Sequence, residues 1–106
     1  MTSQYARYRE DADVLAAIGA AVGEQAGRIT VRLPRALADA AVAAWERDEI
    51  EPLPAETPEQ RVLRDRAAEL ALIGLAVSER GRREGDVVEV DLDAGAVGAA
   101  VRAAPR

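Results

Sequence analysis

Gly27-Arg28-Ile29-Thr30-Val31-Arg32-Leu33-Pro34 is the stretch on which the fold of this 106-residue chain turns. Side chains alternate across a strand, so Ile29, Val31 and Leu33 face one way while Arg28, Thr30 and Arg32 face the other. One face asks for a hydrophobic core. The other asks for an anion or a row of carboxylates.

Outward from this strand the remaining elements follow from periodicity and punctuation. Upstream, residues 4 to 26 form a predicted helix with Tyr8, Leu15, Ile18 and Val22 near one stripe, weakened by Gly19 and Gly23, each costing about 1 kcal/mol relative to Ala. Downstream, Pro34 suits a first helical position, and a second helix should run to about Glu49. Its expected apolar stripe is Leu37, Ala41 and Trp45, with Trp45 as a core or interface anchor. The stretch Glu51-Pro-Leu-Pro-Ala-Glu-Thr-Pro58 reads as a loop, because closely spaced prolines break a helix. Thr57-Pro58-Glu59-Gln60 then carries the signature of a capping box, opening a third helix over about 58 to 80. Within it, Leu70 to Val77 is apolar on every side. Such a segment is buried all round, and in so small a chain a second subunit is the simplest way to surround it. Gly81 and Gly85 punctuate a charged turn before Val87 to Leu92, a second strand with Val88, Val90 and Leu92 on one face and Glu89 and Asp91 on the other. Asp93 is positioned to cap a last, weak helix.

Composition narrows the chemistry. The chain has no His and no Cys, so neither Ser-His-Asp nor Cys-His catalysis nor a thiolate-imidazole zinc site can be assembled from it. Its glycines do not match the Walker or dinucleotide spacing. Glu89, Asp91 and Asp93 could gather a hard cation, but an exposed, charge-alternating strand face is the commoner origin of that pattern. The expectation is a non-enzyme with no catalytic residue, no metal and no cofactor. All fourteen basic residues are Arg, and the net charge is −5, a poor balance for blanket affinity toward nucleic acid. Basic residues nonetheless cluster at Arg28, Arg32 and Arg35. No apolar run approaches the roughly 20 residues of a membrane span, and the first residues lack a signal-peptide pattern. A cytoplasmic, membrane-free protein is the expectation.

Arg28-Ile29-Thr30-Val31-Arg32-Leu33-Pro34, followed by Ala36-Leu37-Ala38-Asp39-Ala40-Ala41 and a capped further helix, resembles the ribbon-helix-helix family of dimeric DNA-binding proteins. The resemblance covers residues 28 to 47 and, more loosely, 58 to 77, within a segment spanning 28 to 80. It implies that two copies of the strand pair across a two-fold axis and enter the major groove of double-stranded DNA, with Arg28, Thr30 and Arg32 reading base edges. It further implies that the start of the third helix, at Thr57 and Arg61, holds a phosphate. The function so implied is a repressor or an antitoxin-like autoregulator, with the terminal segments available to a protein partner.

The residues leave a second pairing open. If the strand at 28 to 33 pairs with 87 to 92 of the same chain, Arg28 and Arg32 face Glu89 and Asp91 as cross-strand ion pairs. The Arg face is then a salt-bridged sheet surface, and the chain is a small protein–protein interaction module without a nucleic-acid role. Under either reading the expectation is a mostly helical α+β protein with three main helices and two short strands. It is a single domain over residues 1 to 106 and forms a closely packed or intertwined homodimer with Leu70, Ile73, Leu75 and Val77 in the dimer core.

Overall fold

The computed structural model describes residues 4–23, 30–47 and 56–104. Four helices and three strands occur among them: α1 (Gln4–Gly23), β1 (Thr30–Pro34), α2 (Arg35–Arg47), α3 (Pro58–Arg80), β2 (Arg82–Glu84), β3 (Val87–Asp91) and α4 (Ala94–Ala103). The fold is mostly helical α+β, with one helix and one strand more than the sequence reading of three main helices and two strands. The fourth helix is the last, weak one that the sequence reading set beside its three main helices; its cap is Asp93, whose carboxylate accepts from the Ala96 N–H at 2.7 Å. The added strand is β2, and its residues are all exposed. With no buried face it has no apolar alternation to betray it.

The sheet is antiparallel in the order β1-β3-β2. β1 pairs with β3 of the same chain, in the register Thr30↔Asp91, Val31↔Val90, Arg32↔Glu89 and Leu33↔Val88. β2 and β3 form a hairpin in which Glu84 pairs with Val87, leaving Gly85-Asp86 as the turn. Gly85 adopts φ +62°, a left-handed backbone that costs a residue with a Cβ and not glycine. At the other end of the register, the Arg35 N–H donates to the Asp86 carbonyl at 2.8 Å and ties the start of α2 to the hairpin.

Val31, Leu33, Val88 and Val90 are fully buried on the sheet face that turns toward the helices. The expected stripe of α1 is also buried at Tyr8, Leu15, Ile18 and Val22. α3 runs through the middle of the packing, touching α1, α2, α4 and β3. Leu70, Ile73 and Val77 therefore lie in the chain's own core, and their burial does not require the second subunit that the apolar run suggested. Leu75 is only half-buried, and Leu72 is 60% exposed. The run is thus enclosed on three sides and open on the fourth.

Two helix crossings are close enough to bring backbone against backbone. A Cβ placed on Gly74 of α3 would lie 1.9 Å from the Ala41 carbonyl oxygen of α2. One placed on Gly19 of α1 would lie 1.9 Å from the Ala100 carbonyl oxygen of α4. This proximity also sets the face of α2. Ala38, Ala41 and Ala44 are buried, whereas Leu37 is half-buried and Trp45 is 38% exposed. Bulky side chains cannot occupy a seam where main chains nearly touch, so the expected anchor Trp45 stands at its margin.

Candidate functional sites

The polar face of the sheet carries the residues to which the sequence points. Thr30 and Arg32 lie on β1 opposite Asp91 and Glu89; Arg28 falls outside the described residues. The Thr30 hydroxyl donates to an Asp91 carboxylate oxygen. Glu89 sits on the central strand with Arg32 in register on one side and Arg82 on the other. The Arg82 guanidinium donates to the Glu89 carboxylate at 2.8 Å, and this hydrogen bond, then the charge of Glu89, lifts the Arg82 pKa above its ordinary value. The face is an Arg-Glu-Arg rung beside a Thr-Asp rung. Its cations are matched by carboxylates of the same sheet.

The start of α3 is closed in a comparable way. Thr57 accepts from the Gln60 N–H at 3.2 Å, and Gln60 accepts from the Thr57 N–H at 2.9 Å. That reciprocal cap uses two of the donors that a phosphate would need. Glu56 stands immediately before the helix, receiving both Nε and Nη2 of Arg64 at 2.9 and 3.0 Å. Glu59 lies in the first turn. Carboxylates already occupy the positive end of the helix dipole, and Arg61 is exposed one turn on.

The three acids considered for a cation are dispersed in function. Glu89 binds Arg82, Asp91 binds Thr30, and Asp93 caps α4. Further ion pairs are structural. Arg83 of β2 reaches Asp39 of α2 at 2.6 Å. Arg47, in the last turn of α2, reaches Asp11 of α1 at 2.6 Å. Asp11 is the buried charged residue of the described core. Burial raises its pKa above the usual carboxylate range, outweighing the hydrogen bond and charge of Arg47.

An open concavity lies elsewhere, between α3 and α4. It is a hollow of about 410 Å³ whose apolar wall includes Leu72, Leu75, Ala76, Leu92, Ala96 and Ala99. Glu69, Glu79, Arg80, Asp93 and Arg102 stand around it. A second hollow of about 260 Å³ reaches from Val62 to Ala103 and shares Glu69, Ala99 and Arg102 with the first. Together they make an open groove along the two helices. The sequence reading placed Leu75 in a subunit interface and did not single out Leu72, because a run apolar on all sides does not reveal which side the fold leaves open. No helix among the described residues is long and apolar enough to cross a membrane.

Comparison with protein-family models, curated proteins and solved structures finds no match for this chain, so its function is argued from the residues themselves.

Proposed function

We propose that this chain is a small protein–protein interaction module that receives an amphipathic helix along the outer side of α3 and α4. The observation that carries the reading is the coexistence of a neutralised sheet face and an open apolar groove. Arg32 stands opposite Glu89, and Thr30 is engaged by Asp91, so a DNA phosphate or base edge would meet carboxylates as well as cations. In contrast, Leu72 is exposed beside an apolar hollow. An elongated groove between two helices with an apolar floor and a charged margin is the setting for helix-in-groove recognition. The absence of His and Cys is compatible with a binding role.

The test has two arms. A photo-cross-linking residue at Leu72 should form a protein adduct in the native cell, whereas the same residue at exposed Glu84, outside the groove, should not. Selection from random duplex DNA with the folded chain should enrich no sequence. An enriched palindromic motif that is lost on Arg32→Ala would overturn the proposal and restore the ribbon as the working surface.

A further inference from the structure

The outer side of α3 carries a pattern that specifies its own partner. Arg61, Asp65, Ala68, Leu72, Leu75 and Glu79 follow one another at alternating steps of four and three residues, the spacing of a helix–helix seam. Arg61, Asp65, Leu72 and Glu79 are exposed, and Ala68 and Leu75 are half-buried. The stripe is therefore the side of α3 that the rest of the chain leaves uncovered. Its two end charges, Arg61 and Glu79, hold no ion pair with another described residue. Arg47, Arg64, Arg82 and Arg83 each hold an ion pair inside the chain.

We infer that the helix received by this surface is α3 of a second copy, running antiparallel, with Arg61 of each copy against Glu79 of the other. This rests on the interaction-module reading and names its partner. The order of residues along the stripe selects the arrangement. Arg61 and Glu79 lie at opposite ends, roughly 27 Å apart at 1.5 Å per residue. An antiparallel neighbour that sets Arg61 opposite Glu79 also sets Asp65 opposite Leu75 and Ala68 opposite Leu72, and the two-fold axis repeats all three pairings. Small against large lets the helices approach closely at the centre. A parallel neighbour would put Arg61 on Arg61 and Glu79 on Glu79, which is repulsive at both ends.

Asp65 is the polar residue of the seam, and it also lines the second hollow. There it is exposed, one turn from Arg61 on its own helix. The incoming helix lies alongside α4, so each copy covers the hollows of about 410 and 260 Å³ of the other. Two helices from each subunit then form the contact. The end charges act mainly on orientation and partner choice, since exposed ion pairs add little affinity.

Charge reversal tests the arrangement on the full chain. Sedimentation equilibrium at low salt should show reversible dimerisation. Arg61→Glu and Glu79→Arg should each weaken it by about tenfold, and the double variant, carrying both in one chain, should recover most of the loss. Circular dichroism should be unchanged, because both positions are exposed. The lack of native cysteine permits a second measurement. Oxidation of an equimolar mixture of Arg61→Cys and Glu79→Cys chains should give mixed disulfides well above the share that random pairing alone produces.

Single variants that dimerise like the parent, a double variant that stays weak, or mixed disulfides no more abundant than random pairing gives would overturn the antiparallel pairing. A chain that remains monomeric at millimolar concentration while Leu72 still cross-links to another protein would overturn the second copy and leave the module reading standing. A monomer whose Leu72 captures nothing would overturn both.

Discussion

Replacing Gly74 by Ala should destabilise the protein although it improves the helix. Two terms oppose each other. Removing a glycine from a helix interior favours folding by about 1 kcal/mol. Against it stands the added methyl, which would lie 1.9 Å from the Ala41 carbonyl oxygen and 2.5 Å from its carbon. The contact must open to beyond 3.0 Å, a separation below which real Cβ atoms are essentially never found. The obstructing atoms are backbone, so no rotamer change relieves them; α2 and α3 have to separate. Overpacking of a core typically costs about 1–3 kcal/mol, and parting these helices also loosens the contacts of Ala38, Ala41 and Ala44. We expect a net loss of about 2 kcal/mol and a fall in Tm on the order of 10 °C for a domain of this size. Urea and thermal unfolding followed by circular dichroism will measure both. A Tm equal to or above that of the parent would refute the reasoning. So would rescue of Gly74→Ala by Ala41→Gly, since the clash is with the carbonyl of residue 41 and not with its methyl.

The other predictions use the same two assays. Gly19→Ala should destabilise for the same reason, against the Ala100 carbonyl, whereas Gly23→Ala, which meets nothing within 4 Å, should stabilise by up to about 1 kcal/mol. Equal effects at the two sites would discredit the contact argument. Asp11 has a raised pKa in the folded chain, so the native state binds its proton at a pH where the unfolded state has released it. Its contribution to stability must then rise as the pH falls through the native value, and level off below the unfolded one. Between about pH 7 and about pH 4, the parent should gain stability relative to Asp11→Asn; a constant or opposite difference would reverse the assignment. Thr57→Ala removes the cap that accepts from Gln60 and should cost about 1 kcal/mol, measured as a lower urea midpoint with unchanged slope. A midpoint equal to the parent's would show that the cap contributes nothing.

What the sequence disclosed divides along a physical line. Signals written within one turn of chain are legible. Thr57-Pro58-Glu59-Gln60 gives the start of α3 and its capping box, and Asp93 announces the cap of α4. Faces are legible too, since alternation separates Val31 and Leu33 from Thr30 and Arg32, and periodicity separates Tyr8, Leu15, Ile18 and Val22 from the rest of α1. What a face meets is not written locally. The same Thr30-Val31-Arg32-Leu33 serves a strand paired with its own copy or one paired with Val87–Asp91, and the choice is made by tertiary packing. Arg82-Arg83-Glu84 becomes a strand because β3 and the Gly85 turn hold it there, not because of its own composition. The buried face of α2 keeps Ala41 but takes Ala38 and Ala44 in place of Leu37 and Trp45, because Gly74 admits the backbone of Ala41. The exposure of Leu72 stayed invisible within a run apolar on every side.

The pairing of β1 with β3 also has a consequence in time. Thr30 and Asp91 are 61 positions apart, so closing the sheet waits for almost the whole chain, and its entropic cost grows with the logarithm of that separation. During synthesis at about 5–20 residues per second, β1 emerges several seconds before the strand that completes it. Val31 and Leu33 can be sheltered in that interval only by the helices already made, and β1 still lacks its sheet neighbour. A nascent or prematurely terminated chain ending before Val87 carries an unpaired apolar strand, the feature that folded proteins cover to avoid joining edge to edge. Native topology therefore makes the last hairpin the step that takes this strand out of reach of other chains.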